Sequence, residues 1–374
     1  MTIGILIGTR PECIKLMPVV RALERRGRTC EIYVTGQHRD LLLPILDELE
    51  LTVTENLDVM GEDQTLAGLS ARVVAGMDAL LERRQPRILV VQGDTTSAAM
   101  AALAAFYRGI KVAHVEAGLR THERRNPFPE EMNRTLIGQL ADIHFAPTPA
   151  AVENLRAAGV AMATVHMVGN TVIDALYHAR DHLAPAVAPD PALADIYAAG
   201  APLVLITGHR RENFGPDFEA MCNGIGRLAA SLEGLEEKTY FVYPVHPNPN
   251  VRAAVAKTLS GAGNVRIIPP LSYLQFVKAL MHATLVITDS GGVQEEAAAL
   301  GVPVLVTRRT CERMEAVDAG VAQIVGPDEA AIFAAGWTLL TDERARRARA
   351  RPTDAFGDGR AAERIADELE QNLT

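Results

Sequence analysis

Cysteine is scarce in this sequence. The four residues, Cys13, Cys30, Cys222 and Cys311, lie far apart and form no CxxC pair and no Cys/His spacing of a zinc site. Neither a disulfide framework nor a zinc centre is suggested, and reduced thiols in the cytoplasm are the expectation. Long hydrophobic runs are missing as well: none approaches the roughly 18 apolar residues that a membrane-spanning helix needs. The apolar TIGILIG run at residues 2–8 has no cationic leader and meets Arg10 too soon for a secretory signal. Nor is there a surplus of positive charge. Lys and Arg number 37 against 46 Asp and Glu, a formal net charge of -9. That balance argues against nucleic acid or an anionic membrane as a partner, while local basic clusters can still hold a phosphate-bearing metabolite. The last absence is a motif: GTRPECIK follows the first apolar run where a GxGxxG would stand, so no NAD-type cofactor is expected.

What is present is an alternation. At 374 residues the chain is longer than one core usually grows, so two domains are expected, and 48% hydrophobic with 22% charged residues describes an ordinary globular protein. Short β-branched runs, TIGILIG (2–8), EIYVTG (31–36), RILVVQG (87–93), KVAHVEAG (111–118) and DIHFAPT (142–148), alternate with helical spacing such as CIKLMPVVRALERRG and TSAAMAALAAFYRG. This pattern predicts a parallel sheet covered by helices on both faces. A second series follows: PLVLITG (202–208), TYFVYPVH (239–246), NVRIIPP (264–270), ATLVITDSGG (283–292) and VPVLVTR (302–308). Two doubly wound α/β domains are predicted, with a boundary near 168–171, where HMVGN closes the first series. The Pro/Ala-rich APAVAPDPALA reads as a surface excursion before the second sheet.

In open α/β sheets ligands lie outside the carboxyl ends of the strands, so the loops after these runs should converge on a cleft between the domains. Arg10 and Lys15 stand around the start of the first helix, where backbone N–H groups and the helix dipole favour an anion; the plainer reading is two solvated surface cations. Asp94 in QGDTTS and Glu116 in HVEAGLR end two runs, and Glu130 and Glu131 follow in PFPEEMNR, a helix start with Pro129 near its first position. Carboxylates from separate strand ends aimed at one cleft would repel one another and become weaker acids. In TDSGGVQEEAAALGVP, Ser290, Gly291 and Gly292 allow backbone to approach a diphosphate at a helix N-terminus. Glu296, about one and a half turns in, could accept ribose hydroxyls, whereas Glu295 can be explained by the helix dipole alone. TGHRRENFG places His209, Arg210 and Arg211 at a strand end as a phosphate clamp, and His246 in YPVHPNPNVR is placed similarly.

Taken in order, GTRPECIKLMPVV, TGQHRD, GDTTS, HVEAGLR, PFPEEMNR, GNTVIDAL, TGHRRENFG, YPVHPNPNVR, TDSGGVQEE and GDGRAAERI resemble the signatures of the non-hydrolysing UDP-N-acetylglucosamine 2-epimerases, from Gly8 almost to the C-terminus. The resemblance implies an α/β, GT-B-like fold: Rossmann-like domains at 1–169 and 170–355, the active site in the interdomain cleft, and a helix within 356–374 that packs back on the first domain. It implies that UDP-N-acetylglucosamine loses the proton on carbon 2 and its UDP by elimination, giving a bound 2-acetamidoglucal. UDP then adds back with protonation from the opposite face, giving UDP-N-acetylmannosamine, and neither a redox cofactor nor a metal is implied. By the same resemblance Asp94, Glu116 and Glu130 are the catalytic carboxylates, while Lys15 and His209 neutralise charge on the departing diphosphate. Arg10, Arg134, Arg211, His246, Ser290, Gly291, Gly292 and Glu296 match positions that contact substrate or UDP, with Arg120 and Arg134 alternatively orienting the carboxylates as neighbouring cations. A cytoplasmic homodimer that supplies N-acetylmannosamine units for cell-surface polysaccharide is also implied, with neither nucleic acid nor membrane as a partner.

Four positions depart from the family pattern. Gln92 stands where a His often precedes Gly-Asp, and Met314 replaces a usual proline; both read as packing variants. Asp63, before Gln64, replaces an arginine that in several bacterial members helps bind a second, regulatory UDP-N-acetylglucosamine, whereas Gln37 keeps the matching glutamine of that pocket. HERRN (122–126) replaces the more usual sequence before PFPEE. The charge reversal at Asp63 predicts weakened or absent activation by substrate, hence a rate curve that is not sigmoidal. The competing readings are a GT-B glycosyltransferase, a hydrolysing epimerase or one for a modified 2-acetamido sugar, and a nucleotide-sugar sensor without turnover. The first-domain carboxylates argue against transferase and sensor, which have no use for removing a carbon-2 proton.

Overall fold

The computed structural model describes residues 2–36, 39–59, 65–208, 215–235, 238–245, 255, 258–259, 261–309, 311 and 313–373. The chain divides into two compact units, Met1–Tyr177 with Phe356–Thr374, and His178–Ala355.

In the first unit the described strands are β1 (Ile3–Ile7), β2 (Cys30–Val34), β3 (Glu55–Asn56), β4 (Ile88–Gln92), β5 (Lys111–Val115), β6 (Ile143–Ala146) and β7 (Val165–Met167). They form one sheet in the order β3-β2-β1-β4-β5-β6-β7, every pairing parallel. The central strands IGILI and ILVVQ are buried at every position, which is what helices on both faces require and why these runs do not alternate apolar with polar. β3 and β7, at the two edges, are short and partly exposed. The helix Thr96–Tyr107 is rich in buried alanines, so it can lie close against the sheet and against the helix Leu66–Arg84; the Thr95 hydroxyl caps it by accepting from the Ala98 N–H at 3.0 Å.

The C-terminal helix Ala361–Leu373 belongs to this unit. It buries Ile365, Ala366, Leu369 and Leu373, and ties itself to the end of the first helix through Arg26, which pairs with Glu363 and Asp367, each at 2.7 Å. Its N-terminus rests on Asp174, whose carboxylate accepts from the N–H groups of Ala361 (3.2 Å) and Ala362 (2.8 Å). Burial pushes the Asp174 carboxyl up to about 6 despite those donors.

The second unit has β8 (Leu203–Thr207), β9 (Tyr240–Pro244), β10 (Val265–Ile268), β11 (Leu285–Thr288), β12 (Val304–Val306) and β13 (Ala322–Ile324), again all parallel, in the order β10-β9-β8-β11-β12-β13. Its core joins the helices Pro216–Leu232 and Glu329–Thr341 to the sheet through Phe218, Ile225, Leu228, Phe241, Ile287 and Ile332. In each sheet the winding reverses between the first strand and the fourth, at β1/β4 and at β8/β11. These reversals are the crevices where doubly wound sheets bind ligands.

Candidate active site

At the reversal of the first unit, the loops after β1 and β4 are stapled together by a carboxylate that the sequence did not single out. Glu12, fully buried in the first helix Arg10–Arg25, accepts from the Gly8 N–H (2.8 Å), the Thr9 hydroxyl (2.9 Å) and the Thr95 hydroxyl (2.7 Å). Burial raises its proton affinity, and the hydrogen bonds partly offset that rise.

One residue beyond β5 the chain turns into the left-handed region, with φ +64° at Glu116. That conformation costs a residue with a Cβ about 1 kcal/mol, and such strain is kept where a side chain must be aimed. The Glu116 carboxylate is almost wholly buried. Lys15 Nζ donates to both of its oxygens, at 2.7 and 2.6 Å. Gln92 Nε2, from the end of β4, donates to Oε2, and Asn170 Nδ2 donates to Oε1 at 3.0 Å. A buried carboxylate is tolerable only when it is paired and hydrogen-bonded, and an ammonium at this distance favours the charged form, the one able to accept a proton.

Asp94 lies in the neighbouring loop. Gly93 is clamped to β5 from both sides: its N–H donates to the Val115 carbonyl (3.0 Å), and its carbonyl accepts from His114 Nε2–H (2.7 Å). Asp94 then accepts from Arg134 at 2.9 Å, while Asn133 Nδ2 donates to the Asp94 backbone carbonyl at 2.9 Å. Arg134 also reaches Glu131 at 3.4 Å. Glu131 is buried and accepts from Arg120 Nε (2.8 Å), the Thr121 N–H (3.0 Å) and the His122 N–H (3.2 Å), so it fixes the start of the HERRN segment. Burial pushes the Glu131 carboxyl up, but the Thr121 N–H, Arg120 and Arg134 outweigh it and hold the group below the usual carboxylate range. Glu130, half-buried, begins the helix Glu130–Leu140. The expected mutual repulsion among carboxylates is thus answered by pairing: Glu116 meets Lys15, and Asp94 meets Arg134.

At the reversal of the second unit, the Thr207 and Thr288 hydroxyls join the ends of β8 and β11 at 2.6 Å. Ser290 is the N-cap of the helix Gly291–Leu300. The adjacent glycines differ in kind: a Cβ on Gly291 would sit 3.0 Å from the Arg313 guanidinium carbon, whereas none of the described residues lies within 4 Å of the corresponding position at Gly292. Gly291 therefore makes room for Arg313, a constraint that Gly292 does not share among the described residues. Glu295 is more than a dipole partner, because its carboxylate accepts from Arg313 Nε at 2.8 Å in a buried pair. Glu296 is buried one residue further on. Arg10, half-buried, opens the first helix of the other unit. His209, Arg211, His246, Gln37, Asp63 and Gln64 lie outside the described residues. Among the described residues no group of three His, Cys, Asp or Glu is placed to hold a metal ion, and no helix is long and apolar enough to cross a membrane.

The model of one family, UDP-N-acetylglucosamine 2-epimerase, matches residues 21–370. The UDP-N-acetylglucosamine 2-epimerase of Escherichia coli K12 is 42% identical over 379 residues, covering 100% of this chain and 99% of that one. The chain belongs to the UDP-N-acetylglucosamine 2-epimerase family. A crystal structure of the Neisseria meningitidis UDP-GlcNAc 2-epimerase bound to UDP-GlcNAc is 36% identical, with a TM-score of 0.92 over 99% of this chain and 100% of that one. The glycotransferase of kitacinnamycin, 14% identical with a TM-score of 0.64 over 100% of this chain and 99% of that one, shares the fold alone. The fold class is α/β, GT-B-like, built of two Rossmann-like sheets.

For this member of the epimerase family, the geometry revises a second expectation drawn from the sequence, beside that for Glu295. Gln92 is more than a packing variant, because its amide donates to Glu116. Asn170 was visible only as a letter in GNTVIDAL, and Glu12 as a letter in GTRPECIK. Their signal is a single polar residue beside a strand-end turn, which is too weak to find without the sheet order.

Proposed function

We propose that this chain is a UDP-N-acetylglucosamine 2-epimerase of the non-hydrolysing type, interconverting UDP-N-acetylglucosamine and UDP-N-acetylmannosamine. The observation that carries the reading is the buried Lys15–Glu116 pair at the carboxyl end of β5, in a family whose members are named UDP-N-acetylglucosamine 2-epimerase. The proton on carbon 2 leaves to a carboxylate as the bond from carbon 1 to the diphosphate oxygen breaks, giving 2-acetamidoglucal and UDP. The reverse addition returns UDP to carbon 1 and a proton to carbon 2 from the other face, so the cycle is redox-neutral and consumes no water. Glu116, Asp94 and Glu130 divide these proton transfers. Lys15 pairs with Glu116 and, with His209, offsets the charge that grows on the departing diphosphate. Ser290, Gly291, Gly292 and Glu296, with Arg10, Arg134, Arg211 and His246, bind UDP or the sugar. On this reading the enzyme is a cytoplasmic homodimer that supplies N-acetylmannosamine units for a cell-surface polysaccharide.

The test is incubation with UDP-N-acetylglucosamine in deuterated water, without acceptor, followed by proton NMR. Epimerisation predicts deuterium at carbon 2 together with UDP-N-acetylmannosamine. Net accumulation of free sugar would mean a hydrolysing enzyme. No exchange and no product would refute both, in favour of a transferase or a sensor.

A further inference from the structure

The Glu116 carboxylate must be held in one plane to meet a carbon–hydrogen bond, and an ammonium cannot do that. Lys15 is a compact charge on a flexible stem; it sits against both oxygens and leaves rotation about the carboxyl bond cheap. Gln92 and Asn170 supply what Lys15 lacks, since each donates to a different oxygen from a rigid position.

Asn170 is fixed at its backbone N–H and at its side-chain oxygen. Its backbone N–H donates to the Phe356 carbonyl at 2.7 Å, and its Oδ1 accepts from the Val172 N–H at 3.2 Å. With Oδ1 committed, Nδ2 is the atom left facing Glu116; a flipped amide would set an oxygen against a carboxylate and an NH2 against an N–H. The backbone beneath it is equally constrained. Gly169 (φ +94°) and Gly357 (φ +130°) pass so closely that a Cβ on Gly169 would lie 3.1 Å from the Gly357 Cα. Gln92 is buried at the end of β4, and the register that pairs Gln92 with Val115 sets its amide beside the residue after Val115, which is Glu116. Both donors are neutral. A second cation would stabilise the carboxylate so far that it became a poor proton acceptor, whereas an amide fixes geometry at a smaller cost in basicity.

We infer that Gln92 and Asn170 are positioning residues for the reaction, a pair of neutral amides that fix the plane of the Glu116 carboxylate. The inference rests on the reading of Glu116 as a carboxylate that moves the carbon-2 proton. Asn170→Asp and Gln92→Glu keep shape and turn a donor into an acceptor. Asn170→Ser keeps a hydroxyl near the Val172 N–H but is too short to reach Glu116, and it carries the rate test if Asn170→Asp does not fold. The measurements are kcat and KM for epimerisation, the Kd for UDP by calorimetry, and kcat against pH, with Glu116→Gln alongside. The expected result is a fall in kcat of about 10- to 100-fold in each variant, the range set by losing a hydrogen bond to a charged group, with KM and the UDP Kd within about 2-fold. In Asn170→Asp and Gln92→Glu two adjoining carboxylates share a proton, so the acid limb of the kcat profile moves to higher pH. A merely structural role predicts an unmoved profile, or losses in UDP affinity that parallel those in kcat, and either outcome overturns the inference. If Glu116→Gln is inactive while the amide variants run at the parent's kcat, the positioning role alone is wrong. If Glu116→Gln itself keeps full kcat, the reading of Glu116 fails, and the inference fails with it.

Discussion

His114 lies on β5 beside His144 of β6, fully buried two residues before Glu116, and its ring makes the hydrogen bond that seats Gly93 next to Asp94. A carbonyl cannot donate, so Nε2 carries a proton; the other nitrogen, Nδ1, is buried without a hydrogen-bond partner among the described residues. Protonating Nδ1 would place a charge there with no acceptor. Burial accordingly pushes the His114 imidazole down from 6.5 to about 4, and neighbouring His144 and Arg134 push the same way, against the Gly93 carbonyl and Glu116. Because the folded value lies below the unfolded one, stability is complete above 6.5 and drains away as pH falls toward 4. At about 1.4 kcal/mol per pH unit the whole effect is about 3 kcal/mol, of which about 2 kcal/mol is gone by pH 5. His114→Gln keeps an amide able to donate to the Gly93 carbonyl and removes the titration. The assay is hydrogen exchange of the β5 amides, corrected for intrinsic rates, at pH 7.5 and pH 5, in the parent and in the variant. The single tryptophan, Trp337, lies in the other unit, so its fluorescence gives an internal reference. Protection in the parent should fall about 30-fold more than in His114→Gln, the factor equivalent to about 2 kcal/mol. Parallel losses in the two proteins would refute the argument.

Asp174 has the opposite sign. Its folded value of about 6 exceeds the ordinary 3.8, so its contribution is complete below 3.8 and is lost as pH rises through about 6; Asp174→Asn should gain on the parent by about 3 kcal/mol between pH 3.5 and 7.5, and a constant gap in urea midpoints would contradict this. Lys15→Met should cost about 3 kcal/mol by stranding the buried Glu116 charge, and Lys15→Met with Glu116→Gln should recover most of it in denaturant titrations; a double variant no better than the single one would show that the pair is not the source. Gly118→Ala combines φ +92° with a Cβ only 2.2 Å from the Ala151 carbonyl oxygen, so it should lose at least about 3 kcal/mol, whereas Gly109→Ala, with φ +67° and nothing within 4 Å, should lose about 1 kcal/mol. Equal shifts in melting temperature would show that the Ala151 contact is not what sets the cost.

The central strands were legible because burial on both faces leaves an uninterrupted apolar run bounded by glycine or a charge, and IGILI, ILVVQ and LVLIT all have that form. β3 was not legible: a two-residue edge strand, Glu55–Asn56, has no periodicity to detect. The carboxylates stood out because Asp94 and Glu116 follow their strands directly. Which side chains they pair with did not, because Lys15, Asn170 and Arg134 lie 101, 54 and 40 residues away from the groups they touch, and only the sheet order brings them together. Composition carries no information about such distances. The same limit explains Glu295, whose helix-end position suggested a dipole role until the fold brought Arg313 against it.

The parallel order of the first sheet assembles the Glu116 site. β1 and β5 both flank β4, so the helix after β1, the end of β4 and the turn after β5 open on the same edge, and β7 delivers Asn170 from the far side of β6. Continuing β5 by one regular residue would be the cheaper path for the backbone. The left-handed turn at Glu116 instead costs about 1 kcal/mol, and burying the Lys15–Glu116 pair costs more in lost hydration than a well-packed apolar pair would. Neither expense improves the fold, since an apolar side chain in a regular strand would satisfy the core equally well. A fold that retains both at the reversal of its sheet, with Lys15 and the amides of Gln92 and Asn170 donating to the carboxylate, supports the proposed role of Glu116 as a proton acceptor.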